Sequence, residues 1–271
     1  MSVMEASNLT IEHFKRMFEQ GKRFDGRTPL QLRSVTIECN VSNKAEGSAR
    51  VRMGKTEVLA GVKLALGAPY PDSPDKGNLI VSGDLLPLAS PRFESGPPGF
   101  SAIELPRLLD RAIRESGMID MHKMVITPGE KVWTLYIDVY PINDDGNLVD
   151  AATIACIAAL KSAVIPGITE QGLVDYDNRT KENLPISKET APLSFSFFKL
   201  GNALIMDPTR EEEEVMETRI TFGVSKWNGQ YMINSCQKSG AGPLTRADVE
   251  RISALLPEKY DEMEEKLKKF F

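Results

Sequence analysis

The chain has 271 residues, 41% hydrophobic and 26% charged, the balance of an ordinary globular protein with one large core or two intimate halves. Its net charge of −5 excludes a whole-molecule field that draws in RNA or DNA, so any nucleic-acid contact must be local or shared with a basic partner. No apolar run reaches the ~18 residues of a membrane span, and Met1 to Ala6, carrying Glu5, does not read as a signal peptide.

Ile11, Phe14, Met17 and Phe18 recur at helical spacing, with Asn8 or Thr10 as the expected cap and Gly21 as the stop. Lys22 to Arg33 is polar and turn-forming around Asp25-Gly26. Val35, Ile37, Cys39 and Val41 alternate as a strand, as do Ala49, Val51 and Met53. Val58 to Leu66 continues as a more apolar strand. Gly54-Lys55-Thr56 between them resembles the end of a phosphate-binding loop. That motif needs a glycine five residues earlier, where Ala49 stands, and the flanking strands make the segment a hairpin turn. Ala68 to Gly77 is a loop, and Leu79 to Leu88 is expected as a further strand.

A Pro/Gly-rich loop then leads to a helix over Ser101 to Ser116, with Ser101 and Glu104 spaced as a capping box. Leu105, Leu108, Leu109, Ala112 and Ser116 make one apolar or small face. Arg107, Arg111 and Arg114 form a second stripe roughly opposite. Two readings of that stripe stand. It is a solvated face, in which Asp110 and Arg114 pair in the favourable i,i+4 order, or it is an anion site. Arg107 and Arg111 repel each other at i,i+4 by about 0.2–0.5 kcal/mol unless an anion sits between them, and a phosphate chain is such an anion.

Lys123 to Ile126 and Val132 to Val139 read as strands around Pro128-Gly129. A helix over Val149 to Ala163 carries so many alanines that it can lie close to a sheet, as a central buried helix. Asp175 to Thr190 is expected as a polar connector. In the remainder, Leu193, Phe195 and Phe197 alternate with Ser194 and Ser196. Gly201-Asn202 and Asn228-Gly229 mark turns, and Glu211 to Glu214 is an acidic run, read as a solvated loop or helix start. Met216, Ile220, Phe222 and Val224 alternate as a strand, and Gln230 to Cys236 pairs back. Thr245 opens a final helix in which Pro257 is expected to introduce a kink or a division. Strands then helix, repeated, predicts an α+β arrangement of two related halves.

Few chemistries are available. His13 and His122 are the only histidines and have no nucleophile pattern near them. Cys39, Cys156 and Cys236 lack zinc spacing, and apolar patterns around each predict buried free thiols in a reducing compartment. Asp144-Asp145-Gly146-Asn147 lacks the alternating acidic positions of a calcium loop and reads as a turn.

Asp25-Gly26-Arg27, Gly47-Ser48-Ala49, Gly54-Lys55-Thr56, Ile103-Glu104-Leu105 and Asp145-Gly146 occur in the order found in RNase PH-like proteins, and the chain resembles that family over nearly its whole length. Gly77-Asn78-Leu79-Ile80-Val81, Leu85-Leu86-Pro87-Leu88-Ala89, Gly96-Pro97-Pro98 and Gln237-Lys238-Ser239-Gly240 look like the non-catalytic ring subunits of archaeal exosomes within it. The resemblance implies an RNase PH fold of two related βαβ-type halves (ribosomal protein S5 domain 2-like). The expected division is an N-terminal helix and turn at 1–30, a first half at 31–168, and a second half with the C-terminal helix at 191–271. It implies three heterodimers with a catalytic RNase PH-like subunit in a hexameric ring, a trimeric RNA-binding cap, and single-stranded RNA degraded 3′ to 5′ by phosphorolysis. It further implies a cytoplasmic location, with no membrane, cofactor or metal.

Catalytic relatives carry an arginine pair where this chain has Phe100 and Ser101, and Gly-Ser/Thr-Arg where it has Gly146-Asn147-Leu148. Their catalytic aspartate falls near Glu217 or Thr218, without a match. The resemblance therefore implies no catalytic residue here. It assigns Arg107 and Arg111 to RNA phosphates at the neighbouring subunit's site, and Arg114 joins them as an RNA-binding candidate on the same side. An active phosphorolytic enzyme and a purely structural ring spacer are the alternatives.

Overall fold

The computed structural model describes residues 6–187 and 191–270; the start of the expected N-terminal unit and the end of the expected connector lie outside them. Helix α1 spans Asn8–Glu19. Its cap is Ser7 rather than Asn8 or Thr10, the Ser7 hydroxyl accepting from the Thr10 N–H at 3.2 Å.

The first sheet holds β1 (Val35–Cys39), β2 (Gly47–Met53), β3 (Thr56–Gly67), β4 (Asn78–Gly83), β5 (Val125–Thr127) and β6 (Lys131–Asn143). Its order is β1-β2-β3-β6-β4, with β5 pairing to β6. The β4–β6 pair is parallel, and α2 (Phe100–Glu115) makes the crossover between them, a βαβ unit. Strand β4 ends earlier than the expected Leu88. Pro87 cannot donate to a ladder, and a turn closes there instead, the Ala89 N–H donating to the Leu86 carbonyl at 2.9 Å. A 3-10 turn at Met121–Met124 likewise takes the place of the first part of the expected Lys123 strand.

Helix α3 (Leu148–Ser162) is buried along nearly its whole length, as its alanines predict. It rests on β2 and β3 so closely that a β-carbon at Gly47 would sit 2.3 Å from the Ala159 carbonyl oxygen.

After α3 the structure departs from the expected connector. Strands β7 (Val164–Ile168) and β8 (Val174–Asn183) form a two-stranded antiparallel sheet. Backbone pairing gives this ladder its hydrogen bonds without an apolar pattern to announce it. Tyr176 anchors it, its hydroxyl donating to the Leu64 carbonyl at 3.2 Å while the Lys63 ammonium stands 4.2 Å from its ring centroid.

The second half is built from β9 (Leu193–Leu200), β10 (Ala203–Met206), α4 (Arg210–Glu214), β11 (Thr218–Trp227), β12 (Gln230–Ser239) and α5 (Arg246–Leu267). The sheet order is β10-β9-β11-β12, and every pair is antiparallel. Strand β9 is buried on both faces, so Ser194 and Ser196 do not face solvent as strict alternation implies. Ser194 accepts from Thr153 at 2.8 Å and Ser196 donates to Asp150 at 2.8 Å, which puts α3 over that face. On the opposite face the Phe195 ring meets Tyr260 of α5. Phe198 and Leu200 pack with Phe14 and Phe18 of α1 in a smaller, separate core.

Pro257 does not divide α5, which runs unbroken through it. The buried Ile252, Leu256, Tyr260 and Met263 hold both sides of the proline on the sheet. Of the cysteines only Cys156 is buried; Cys39 and Cys236 are exposed, because β1 and β12 are outer strands of their sheets. Among the described residues no helix is long and apolar enough to cross a membrane.

Candidate nucleic-acid interface

Helix α2 begins at Phe100 with Gly99 as N-cap, two residues before the Ser101 cap that the capping box predicts. That register draws Ser101 into the helix, and its hydroxyl makes no cap. Glu104 instead reaches Arg219 of β11 at 2.8 Å and so ties the helix to the second half. The apolar face falls where the spacing puts it, with Leu105, Leu108, Leu109, Ala112 and Ile113 all buried.

The three arginines of the opposite stripe separate into two kinds. Arg114 is held: Nε and Nη2 donate to Asp110 at 3.0 and 2.6 Å, and Nη2 also donates to the Leu79 carbonyl at 3.0 Å. Arg107 and Arg111 are exposed, and among the described residues neither has an ion-pair partner. With Val81, Ile103, Pro106 and Asp110 they line an open groove of about 460 Å³. Two exposed arginines one helical turn apart, with the neighbouring Asp110 committed to Arg114, are complementary to a chain of phosphates.

The N-terminus of α3 has the opposite character. Asn147 adopts the left-handed conformation at φ 56° and ψ 45°, and its backbone N–H donates to Glu213 Oε2 at 3.1 Å. Its side-chain amide donates to Asp150 at 3.0 Å and to Asp207 at 3.1 Å. Gly146 precedes it at φ +84°, where a β-carbon would lie 2.5 Å from the Pro208 carbonyl oxygen. Asp144 pairs with Arg92 at 2.5 Å and accepts from the Gly146 N–H at 3.1 Å. Internal carboxylates thus take the N–H groups of Gly146 and Asn147 at the entry to a helix, an end that can otherwise offer N–H groups to an anion.

The charges of this cluster are set by burial and by arginines from far along the chain. Arg33 donates to both oxygens of Asp207 at 2.7 to 3.0 Å, and Arg27 reaches the same carboxylate at 3.0 Å. Burial alone pushes Asp207 up, but Arg33 and Arg27 hold it below the ordinary carboxylate range. Arg23 pairs with Glu212 and also donates to the Met206 and Asp207 carbonyls. Burial raises Asp150 to about 7 against the hydrogen bonds from Ser196 and Asn147. Burial likewise raises Glu213 despite the nearby Arg92.

The other sequence-level positions are spent structurally or left in solvent. Phe100 and Ser101 are exposed, and Glu217 accepts from the Gly201 N–H at 3.2 Å. Thr218 is buried and donates to the Gly242 carbonyl at 2.5 Å. Glu211 to Glu214 does start a helix, α4, but burial of Glu212 and the contact of Glu213 with Asn147 do not follow from the sequence, nor does the convergence of Arg23, Arg27 and Arg33. The one local signal was Thr209 with Glu212, which form a capping box at the start of α4.

Residues 31–166 match the model of the 3′ exoribonuclease family, domain 1, and residues 190–255 match domain 2 of the same family. An exosome complex component Rrp42 from Methanothermobacter thermautotrophicus is 41% identical over 262 residues, 96% of this chain and 95% of that protein. Among solved structures, a chain of an Archaeoglobus fulgidus exosome with RNA bound to the active site superposes with a TM-score of 0.87. It is 39% identical and is matched over 96% of this chain and 98% of its own. A chain of an archaeal exosome core gives 0.77, with 36% identity and 90% of each chain covered.

Proposed function

This chain belongs to the 3′ exoribonuclease family of RNase PH proteins, and we propose that within it the chain is a non-catalytic ring subunit of an archaeal exosome. It alternates with a catalytic RNase PH-like subunit as three heterodimers, under a trimeric RNA-binding cap, in the cytoplasm. Residues 31–168 and 191–271 are its two halves, and 1–30 is an N-terminal addition.

The observation that carries this reading is the contrast between the two helix sites. Phosphorolysis needs an inorganic phosphate held in line with the scissile phosphodiester. At α3 the Asn147 N–H is already taken by Glu213 and its side-chain amide by Asp150 and Asp207, so neither donor is open to a substrate phosphate. At α2 Arg107 and Arg111 are exposed and have no ion-pair partner among the described residues, ready for phosphates that another subunit's site brings to them. Arg114, bound to Asp110 and Leu79, contributes field to the same path and steadies α2 against β4. Open edge strand β12, with Met232 and Ile233 exposed and Trp227 beside it, supplies surface for a neighbour.

The test is to incubate the purified chain with oligoadenylate and inorganic phosphate, alone and after assembly with the catalytic subunit. Nucleoside diphosphate is expected only from the assembled ring. Release by this chain alone overturns the reading.

A further inference from the structure

Phe100 is the first residue of α2 and is 73% exposed, whereas every leucine of the helix is at most 5% exposed. It lies seven residues before Arg107 and eleven before Arg111. At ~100° per residue all three side chains leave the helix within roughly 40° of one another, and Phe100 stands roughly 10 Å along the axis from Arg107. Ile103, 46% exposed, fills the turn between and opens into the same groove. The stripe therefore reads aromatic, aliphatic, acid, cation, cation; Glu104 is committed to Arg219, and neither Arg107 nor Arg111 has an acidic partner among the described residues.

An apolar protein surface covering this stripe would have to bury two unpaired guanidinium groups, which is strongly unfavourable. Single-stranded nucleic acid meets both demands at once, with phosphates for the cations and a base face for the ring. We propose that Phe100 is a base-stacking platform on the RNA path, one base of single-stranded RNA lying on its ring while Arg107 and Arg111 hold the adjoining phosphates. This rests on the reading of Arg107 and Arg111 given above and adds a contact to the bases, one that tolerates any sequence because every base has a π-face.

The test uses the assembled ring and measures equilibrium binding of oligoadenylate to rings carrying F100A, F100L or F100W, beside R107A/R111A. F100A and F100L are expected to weaken binding by about 5- to 50-fold, and F100W to restore it. The salt dependence should keep its slope in all three Phe100 variants, since no phosphate contact is lost. An abasic position in the oligoadenylate should erase the difference between F100A and the unsubstituted ring. If F100L binds as well as Phe100, the ring serves apolar packing and the proposal falls. It falls too if F100A leaves binding unchanged while R107A/R111A reduces it, and then the phosphate reading stands. If neither changes binding, both fall. If F100A prevents ring assembly, the side chain belongs to a subunit contact and stacking is overturned.

Discussion

The backbone N–H of Asn147 donates to Oε2 of Glu213 at 3.1 Å, so the chain carries its own anion at the N-terminus of α3. That carboxylate comes from α4 and occupies an N–H at a helix N-terminus, a kind of position that can otherwise hold an anion. Deleting it leaves Asp144 on the Gly146 N–H, and Asp150 and Asp207 on the Asn147 amide.

Glu213→Ala should therefore leave the isolated chain without phosphorolytic activity, and inorganic phosphate should not raise its melting temperature. It should lower stability by about 1–3 kcal/mol, the cost of an N–H left without its partner, as measured by urea unfolding.

Asp207→Ala should be far more damaging. It takes the shared carboxylate from Arg33 and Arg27, both largely buried, leaving them, among the described residues, only the partly exposed Asp145 and Asp25 as ion-pair partners, and removes an acceptor of the Asn147 amide. Breaking a buried pair from one side costs about 3–5 kcal/mol, and loss of the cooperative unfolding transition at moderate temperature is the expected readout.

Asp150 gives stability a pH dependence of defined sign. Its folded-state pKa of about 7 lies above the ordinary Asp value of 3.8, so between those values the folded chain binds the extra proton. Stability should fall as pH rises through that window, by up to about 1.4 kcal/mol per pH unit from this group. Asp150→Asn should flatten that slope, whatever it does to stability at a fixed pH. Asp248 acts at the other end. The Lys199 ammonium 2.6 Å away, with the Thr245 backbone, holds it at about 2, so its contribution disappears only as pH falls below the ordinary Asp range. Denaturant titrations of the parent and D150N from pH 2 to 8 separate the two, Asp150 acting above pH 3.8 and Asp248 below it.

Arg107→Ala with Arg111→Ala should reduce the slope of log affinity against log salt by about 1.4 in the assembled ring, at about 0.7 per phosphate contact with single-stranded RNA. Arg114→Ala should change the slope less and the stability more, because its guanidinium is committed to Asp110 and Leu79. Filter binding of oligoadenylate across a salt series distinguishes them. An unchanged slope in the double variant points to a ring spacer without RNA contact.

Local chemistry made much of the architecture legible in advance. The apolar strand from Val58, the alanines of α3 and the helix start at Thr245 each depend on neighbours a few residues away, and each formed where the sequence put it. The arginine stripe opposite the leucines of α2 was likewise fixed by helical period, which is why both of its readings could be framed from sequence. Periodicity failed where backbone pairing needs no apolar pattern, as in β8, or where both faces of a strand are covered, as in β9.

Partner choice was decided by the tertiary structure. Ser101 and Glu104 had the spacing to cap α2, but a helix start at Phe100 and the approach of Arg219 sent Glu104 elsewhere. Glu213 meets Asn147 across 66 residues, and Arg33 meets Asp207 across 174. A charged side chain pairs with whatever the packed sheets and helices bring within hydrogen-bond reach, and no short-range pattern encodes that. By itself the sequence placed three cations on one face of a helix; the folded chain bound one of them to Asp110 and Leu79 and left Arg107 and Arg111 open to solvent.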